Sequence, residues 1–145
     1  MEQSSSQPFI LILEDNPEQA VLIQNVFREG AVTSRVKAIA ESTEALNFIH
    51  RRGEYTQAQR PDLILLNLRL KGCGREVLEE LKSNAGLRRI PVIILTDSDD
   101  EEDIFGSYLL QGNSYVINPR NGDQLHQIVQ RIKEFWLGIV TLPLE

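Results

Sequence analysis

The feature that most constrains this chain is an alternation. Short, unbroken apolar runs are separated by longer stretches in which apolar residues recur at helical spacing. An apolar run without alternating polar positions reads as a strand buried on both faces. The helical stretches between such runs read as the crossovers that parallel strands require. The runs are Phe9–Leu13, Pro61–Asn67 and Ile90–Leu95, and Ser34–Ala38 and Ser114–Ile117 complete the set as a second and a fifth strand.

The intervening segments carry their own start and stop signals. Asn16, Pro17 and Gln19 supply an N-cap, a first-turn proline and a capping-box partner, and Ala20, Ile23, Val26 and Phe27 share one face up to Gly30. A second helix is expected over Glu44–Arg52 with Ala45, Phe48 and Ile49 inward and Gly53 as its stop, followed by a polar loop over 54–60. A loop through Gly72 and Gly74 leads into a third helix of about ten residues, with Leu78 and Leu81 inward. Ser98 and Glu101 form a capping box opening a fourth helix through Leu110. The fifth, over Asn121–Leu137, carries Leu125, Ile128, Val129, Ile132 and Trp136 on one stripe. Strands and helices in this order predict a doubly wound (βα)5 α/β domain, with a five-stranded parallel sheet in the flavodoxin-like order 2-1-3-4-5. Ligand chemistry in such a sheet gathers at the carboxyl ends of the strands, which brings Glu14, Asp15, Asn67, Thr96 and Asn118 to one crevice.

A chain of 145 residues is the size of one domain. The expected division is a flexible tail over 1–8, the domain over 9–137 and an apolar extension over 138–145. The single cysteine, Cys73, has no partner for a disulfide and no paired base, which favours a reducing cytoplasmic setting and leaves the thiol without a role. Fifteen basic against 21 acidic side chains, net −6, argue against nucleic acid as a partner. No apolar run reaches the length needed to cross a bilayer, and Met1–Gln7 lacks the character of a signal peptide, so no membrane role is expected.

Leu13–Asn16 after the first run, Pro61–Asn67, Thr96 and Tyr115–Pro119 together resemble a two-component response-regulator receiver domain. Within that family Gly74–Leu78, Leu87–Pro91 and Phe135–Pro143 are similar to the single-domain receivers that partner cyanobacterial bacteriophytochromes. The resemblance implies an aspartate nucleophile, a Mg²⁺ held by an acidic pair, a threonine that binds the phosphoryl group and a lysine that pairs with it. It assigns Glu14 and Asp15 to the acidic pair and Thr96 and Tyr115 to the switch positions. Two positions depart. Asn67 stands where the phosphoacceptor aspartate belongs, and a neutral carboxamide is too weak a nucleophile to take phosphate. Asn118 stands where the lysine belongs. Arg69 offers a guanidinium that could fold back on Glu14 and Asp15 in place of the metal. The loop Leu70–Gly74 also lacks the family's proline and is shorter.

The expected function is therefore an atypical, non-enzymatic pseudo-receiver that works by phosphorylation-independent protein–protein interaction. It needs no cofactor beyond weak Mg²⁺ at Glu14 and Asp15. The alternatives are phosphorylation of another carboxylate, Asp15 being nearest, by a histidine kinase or phytochrome-type sensor, and a small-ligand sensor using the vacated pocket between Asn67, Thr96 and Asn118. The resemblance also implies a homodimer through the face of the fourth helix, fifth strand and fifth helix. Phe105, Tyr108, Tyr115, Phe135, Trp136 and Ile139 are its candidate contacts. Simpler readings compete elsewhere. Glu14 and Asp15 suit a helix N-terminus through its dipole alone, and the acidic run Asp97–Asp103 is explained as much by a helix start as by docking of a basic partner. His50 and His126 have no evident partner, and Arg51–Arg52 and Arg88–Arg89 are isolated basic pairs.

Overall fold

The computed structural model of the protein describes residues 7–29, 34–67, 70, 72, 74–95, 114–117 and 122–135. Five strands, β1 (Phe9–Leu13), β2 (Arg35–Ile39), β3 (Leu63–Asn67), β4 (Val92–Leu95) and β5 (Ser114–Ile117), pair in parallel in the order β2-β1-β3-β4-β5. The expected topology is the observed one. Every residue of β1 and β4 is buried, as is all of β3 except its last position, Asn67. That is the pattern two-sided burial demands of an unbroken apolar run.

The alternation of side chains divides the core into two layers. Leu11, Leu13, Ile64, Leu66 and Ile94 join Phe48, Val77, Leu78 and Leu81 on one face. Ile10, Ile12, Leu65 and Ile93 join Ile23, Val26, Phe27, Leu125 and Val129 on the other. Each fully buried leucine or isoleucine contributes about 2 kcal/mol.

Helix α1 (Pro17–Arg28) begins as its sequence dictates. The Asn16 side chain accepts from the backbone N–H of Glu18 and Gln19, and proline occupies the first turn. Helix α2 (Ser42–Ile49) departs from expectation at both ends. It starts earlier because the Glu41 carboxylate caps the N–H of Glu44, a task for which Ser, Thr, Asp or Asn is the usual residue. It ends at Ile49 with His50 as its C-cap, and Arg51 already takes left-handed backbone (φ 57°) two residues before Gly53, which is left-handed as well (φ 62°). Gly53 opens a 3-10 turn, Gly53–Tyr55, that sets the Tyr55 ring edge-on to Phe48 at 5.1 Å.

Helix α3 (Gly74–Ser83) buries Leu78 and Leu81 as expected. Gly72, at φ +98°, passes so close to the start of α2 that a Cβ there would lie 2.1 Å from Ser42 Oγ, which requires glycine in this loop. The C-terminal helix, α4 (Gly122–Lys133), lies within the stretch expected over 121–137, of which 121, 136 and 137 lie outside the described residues. Its stripe of Leu125, Val129 and Ile132 is buried, with Ile128 packed at the margin. The helix expected over 98–110 lies outside the described residues.

Candidate functional site

Leu13 pairs with Leu66 and Asn67 with Leu95, so the residues that end β1 and β3 emerge at one level of the sheet. Glu14 is fixed there by its own backbone, whose N–H donates to the Ile39 carbonyl at 3.1 Å. Its side chain turns inward and is 3% exposed. The Asn67 amide Nδ2 donates to both carboxylate oxygens of Glu14 at 3.1 Å, and the Asn16 N–H donates to Oε2 at 3.0 Å. Burial pushes the Glu14 carboxyl above the usual carboxylate range. The hydrogen bonds from Asn16 and Asn67 oppose that shift, and the charge of Asp15 adds to it. Asp15 itself is exposed.

In this arrangement Glu14 is turned to N–H donors rather than to a divalent cation, and Asp15, the other acid of the pair, faces solvent. Both oxygens of Glu14 are occupied by N–H donors, and the third group of the pocket is an amide with its NH2 turned toward Glu14. That orientation follows from electrostatics, since an amide oxygen facing two carboxylate oxygens is repelled. Metal binding would require turning the amide over and breaking both bonds. Among the described residues, no group of three or more His, Cys, Asp or Glu side chains is arranged to hold a metal.

Of the residues expected in the crevice, Glu14, Asp15 and Asn67 are described, and Glu14 and Asn67 are in direct contact. Thr96 and Asn118 lie outside the described residues. The positions preceding them, Leu95 and Ile117, pair with each other beside Asn67. Arg69, Cys73, the acidic run Asp97–Asp103, Phe105, Tyr108, Trp136 and Ile139 also lie outside the described residues. The backbone of Tyr115 pairs with Ile93 in β5, and Phe135 is 47% exposed beyond α4.

Two features had no signal in the sequence. His50, expected to lack a partner, meets Glu80 of α3 at 3.1 Å beside a cavity of about 560 Å³ lined also by Leu46 and Arg52. Lys133 of α4 is buried and donates to the backbone carbonyls of Val26 and Glu29 at the end of α1. Among the described residues, no helix is long and apolar enough to cross a membrane.

Known proteins agree with this architecture. The chain matches the response regulator receiver domain family over residues 10–130. It is 41% identical over 143 residues to response regulator Rcp1 of Synechocystis sp., covering 98% of this chain and 97% of that protein. It is 38% identical over 136 residues to the probable methanogenesis regulatory protein FilR2 of Methanothrix harundinacea, covering 92% and 87%. Among solved structures, it is similar to the phosphorylated cyanobacterial phytochrome response regulator RcpA, at TM-score 0.88 and 45% identity over 95% of this chain and 99% of that one. Similarity to the Mn²⁺-bound form of Rcp1 reaches TM-score 0.87 at 41% identity, over 94% and 99%. With sequence and fold in agreement over nearly its whole length, this chain belongs to the family of response regulator receiver domains.

Proposed function

We propose that this receiver signals by binding rather than by accepting phosphate. The observation that carries the reading is the pair of hydrogen bonds from Asn67 Nδ2 to Glu14. At the position where the family resemblance puts a nucleophilic carboxylate, this chain holds an amide, and that amide satisfies the acid which would otherwise bind a metal. Phosphoryl transfer depends on a nucleophile in line with the phosphorus and on a cation that neutralises developing charge. Asn67 supplies neither. Asn118, in place of the lysine, removes the second cation of the family pattern.

The similarity to phytochrome response regulators supports a photoreceptor or histidine kinase as the partner in a cytoplasmic signalling system. The exposed Phe135, at the end of α4, supports self-association through the C-terminal helix and β5. A monomeric mass at micromolar concentration would remove the dimer without touching the phosphorylation reading.

The test is intact-protein mass spectrometry after incubation with Mg²⁺ and acetyl phosphate, beside an Asn67→Asp/Asn118→Lys variant. The expected outcome is a phosphoryl adduct on the variant alone. An adduct on the natural chain would overturn the reading, and the modified carboxylate would identify the acceptor.

A further inference from the structure

The protein is acidic overall, net −6, yet the edge strand β2 carries two cations, Arg35 and Lys37, and Arg51 and Arg60 lie in the segments that flank α2 and β3. The Arg35 guanidinium lies 5.0 Å from the Phe9 ring centre and bonds the Gln59 side chain. Lys37 Nζ lies 5.7 and 5.6 Å from the ring centres of Phe48 and Tyr55. Arg51 donates to the Ala58 carbonyl at 2.8 Å, and Arg60 to the Ile49 carbonyl at 3.2 Å. Every one of these partners is neutral. Among the described residues, none of the four cations has an ion pair. These cations are thus ordered in advance without a direct ion pair among the described residues, although Glu44 meets the Tyr55 hydroxyl beside Lys37, and their order lowers the entropic cost of meeting an anionic partner.

β2 ends the sheet, with no strand beyond it among the described residues. The Arg35 N–H donates to Pro8 and the Ile39 carbonyl accepts from Glu14, so Arg35, Lys37 and Ile39 turn their peptide groups toward β1. By strand alternation, Val36 and Ala38 turn theirs outward. Charged side chains on an edge strand normally prevent pairing with other chains. Here the charge is of one sign, so it rejects neutral and basic strands and admits an acidic one.

We propose that the open edge of β2 receives an extended acidic segment of a partner protein as an added strand, whose carboxylates at alternate positions lie beside Arg35 and Lys37. Residues directly opposite on paired strands share a face, so an acid at every second position meets both cations at once. The intervening side chains lie beside Val36 and Ala38.

The test uses the full chain and a fluorescent peptide of alternating glutamate and threonine, with binding read by anisotropy. Two control peptides carry the same composition with the acids bunched at one end, or the alternating order with its backbone N-methylated. The expected result is saturable binding of the alternating peptide, at least about tenfold weaker for either control and for an Arg35→Gln/Lys37→Gln variant. In that complex the amides of Val36 and Ala38 gain protection from hydrogen exchange. Because both substituted side chains lie at the edge, an unchanged circular dichroism spectrum verifies that the variant is folded. Equal affinity for the three peptides reduces the surface to general charge attraction and overturns the proposal, as does absence of binding. Self-association of the natural chain that disappears in the variant also overturns it, by giving the edge to a second copy.

Discussion

Glu14 and Lys133 are both ionisable groups withdrawn from water, 3% and 8% exposed, and among the described residues neither is met by an opposite charge. Their surroundings differ in kind. Lys133 reaches the last carbonyls of α1, accepting groups that already carry the negative end of the helix dipole, so the site suits a cation before the lysine arrives. Glu14 finds two N–H donors, but it also finds Asp15, and its burial outweighs its hydrogen bonds. One is a brace between α1 and α4. The other is an acid in a pocket whose family chemistry would supply a cation and whose own chain supplies a dipole. A buried charge is comfortable where the backbone itself is the counter-charge, and poorly accommodated where a side-chain amide must stand in for an ion.

The sharpest way to break this comparison is Asn67→Asp. It sets a second carboxylate against Glu14 and removes both hydrogen bonds, and should lower stability by about 2–3 kcal/mol in the presence of chelator. Urea unfolding with and without Mg²⁺ reads the effect, and the metal should restore most of the loss. An unchanged midpoint would show that Glu14 does not depend on Asn67.

Lys133→Met should cost about 1–2 kcal/mol, since it keeps the apolar stem and removes the charge-assisted bonds to Val26 and Glu29. Loss of that order, without any response to Mg²⁺, would separate the brace from the pocket.

The smallest effect is expected from Glu14→Gln, and its information lies in pH. The folded-state carboxyl is raised above its ordinary value of 4.5, so folding favours the protonated acid. The natural chain holds this contribution fully below 4.5 and loses it as pH rises through the folded value. Glutamine has no proton to lose. The stability of the variant relative to the natural chain should therefore rise between about pH 4 and pH 7 in urea titrations. A difference that stays flat with pH would mean that burial does not penalise the Glu14 charge.

Much of the site was legible before any contact was known. The apolar runs placed Glu14 and Asn67 at adjacent strand ends, and the order of elements put those ends in one crevice. Which group would neutralise Glu14 was not legible. The sequence offered Arg69, a cation two positions beyond Asn67 that lies outside the described residues, and gave no sign that the Asn67 amide itself donates to both oxygens. Only the placement of β1 against β3 brings that amide to the carboxylate.

The amino-acid sequence alone determined the strands, the two-sided burial of β1, β3 and β4 and the start of α1, because apolar period and the Asn16–Pro17 cap act over a few residues and need no partner elsewhere. Tertiary structure decided the rest. Asn67 meets Glu14 across 53 positions and Lys133 meets Val26 across 107. Helix α2 ends at Ile49, and Arg51 beyond it is left-handed before the expected stop at Gly53 is reached, with the Arg51 side chain anchored to Ala58. Contacts of that span leave no mark on local spacing, because the sheet order and the packing of α1 against α4 bring the partners together.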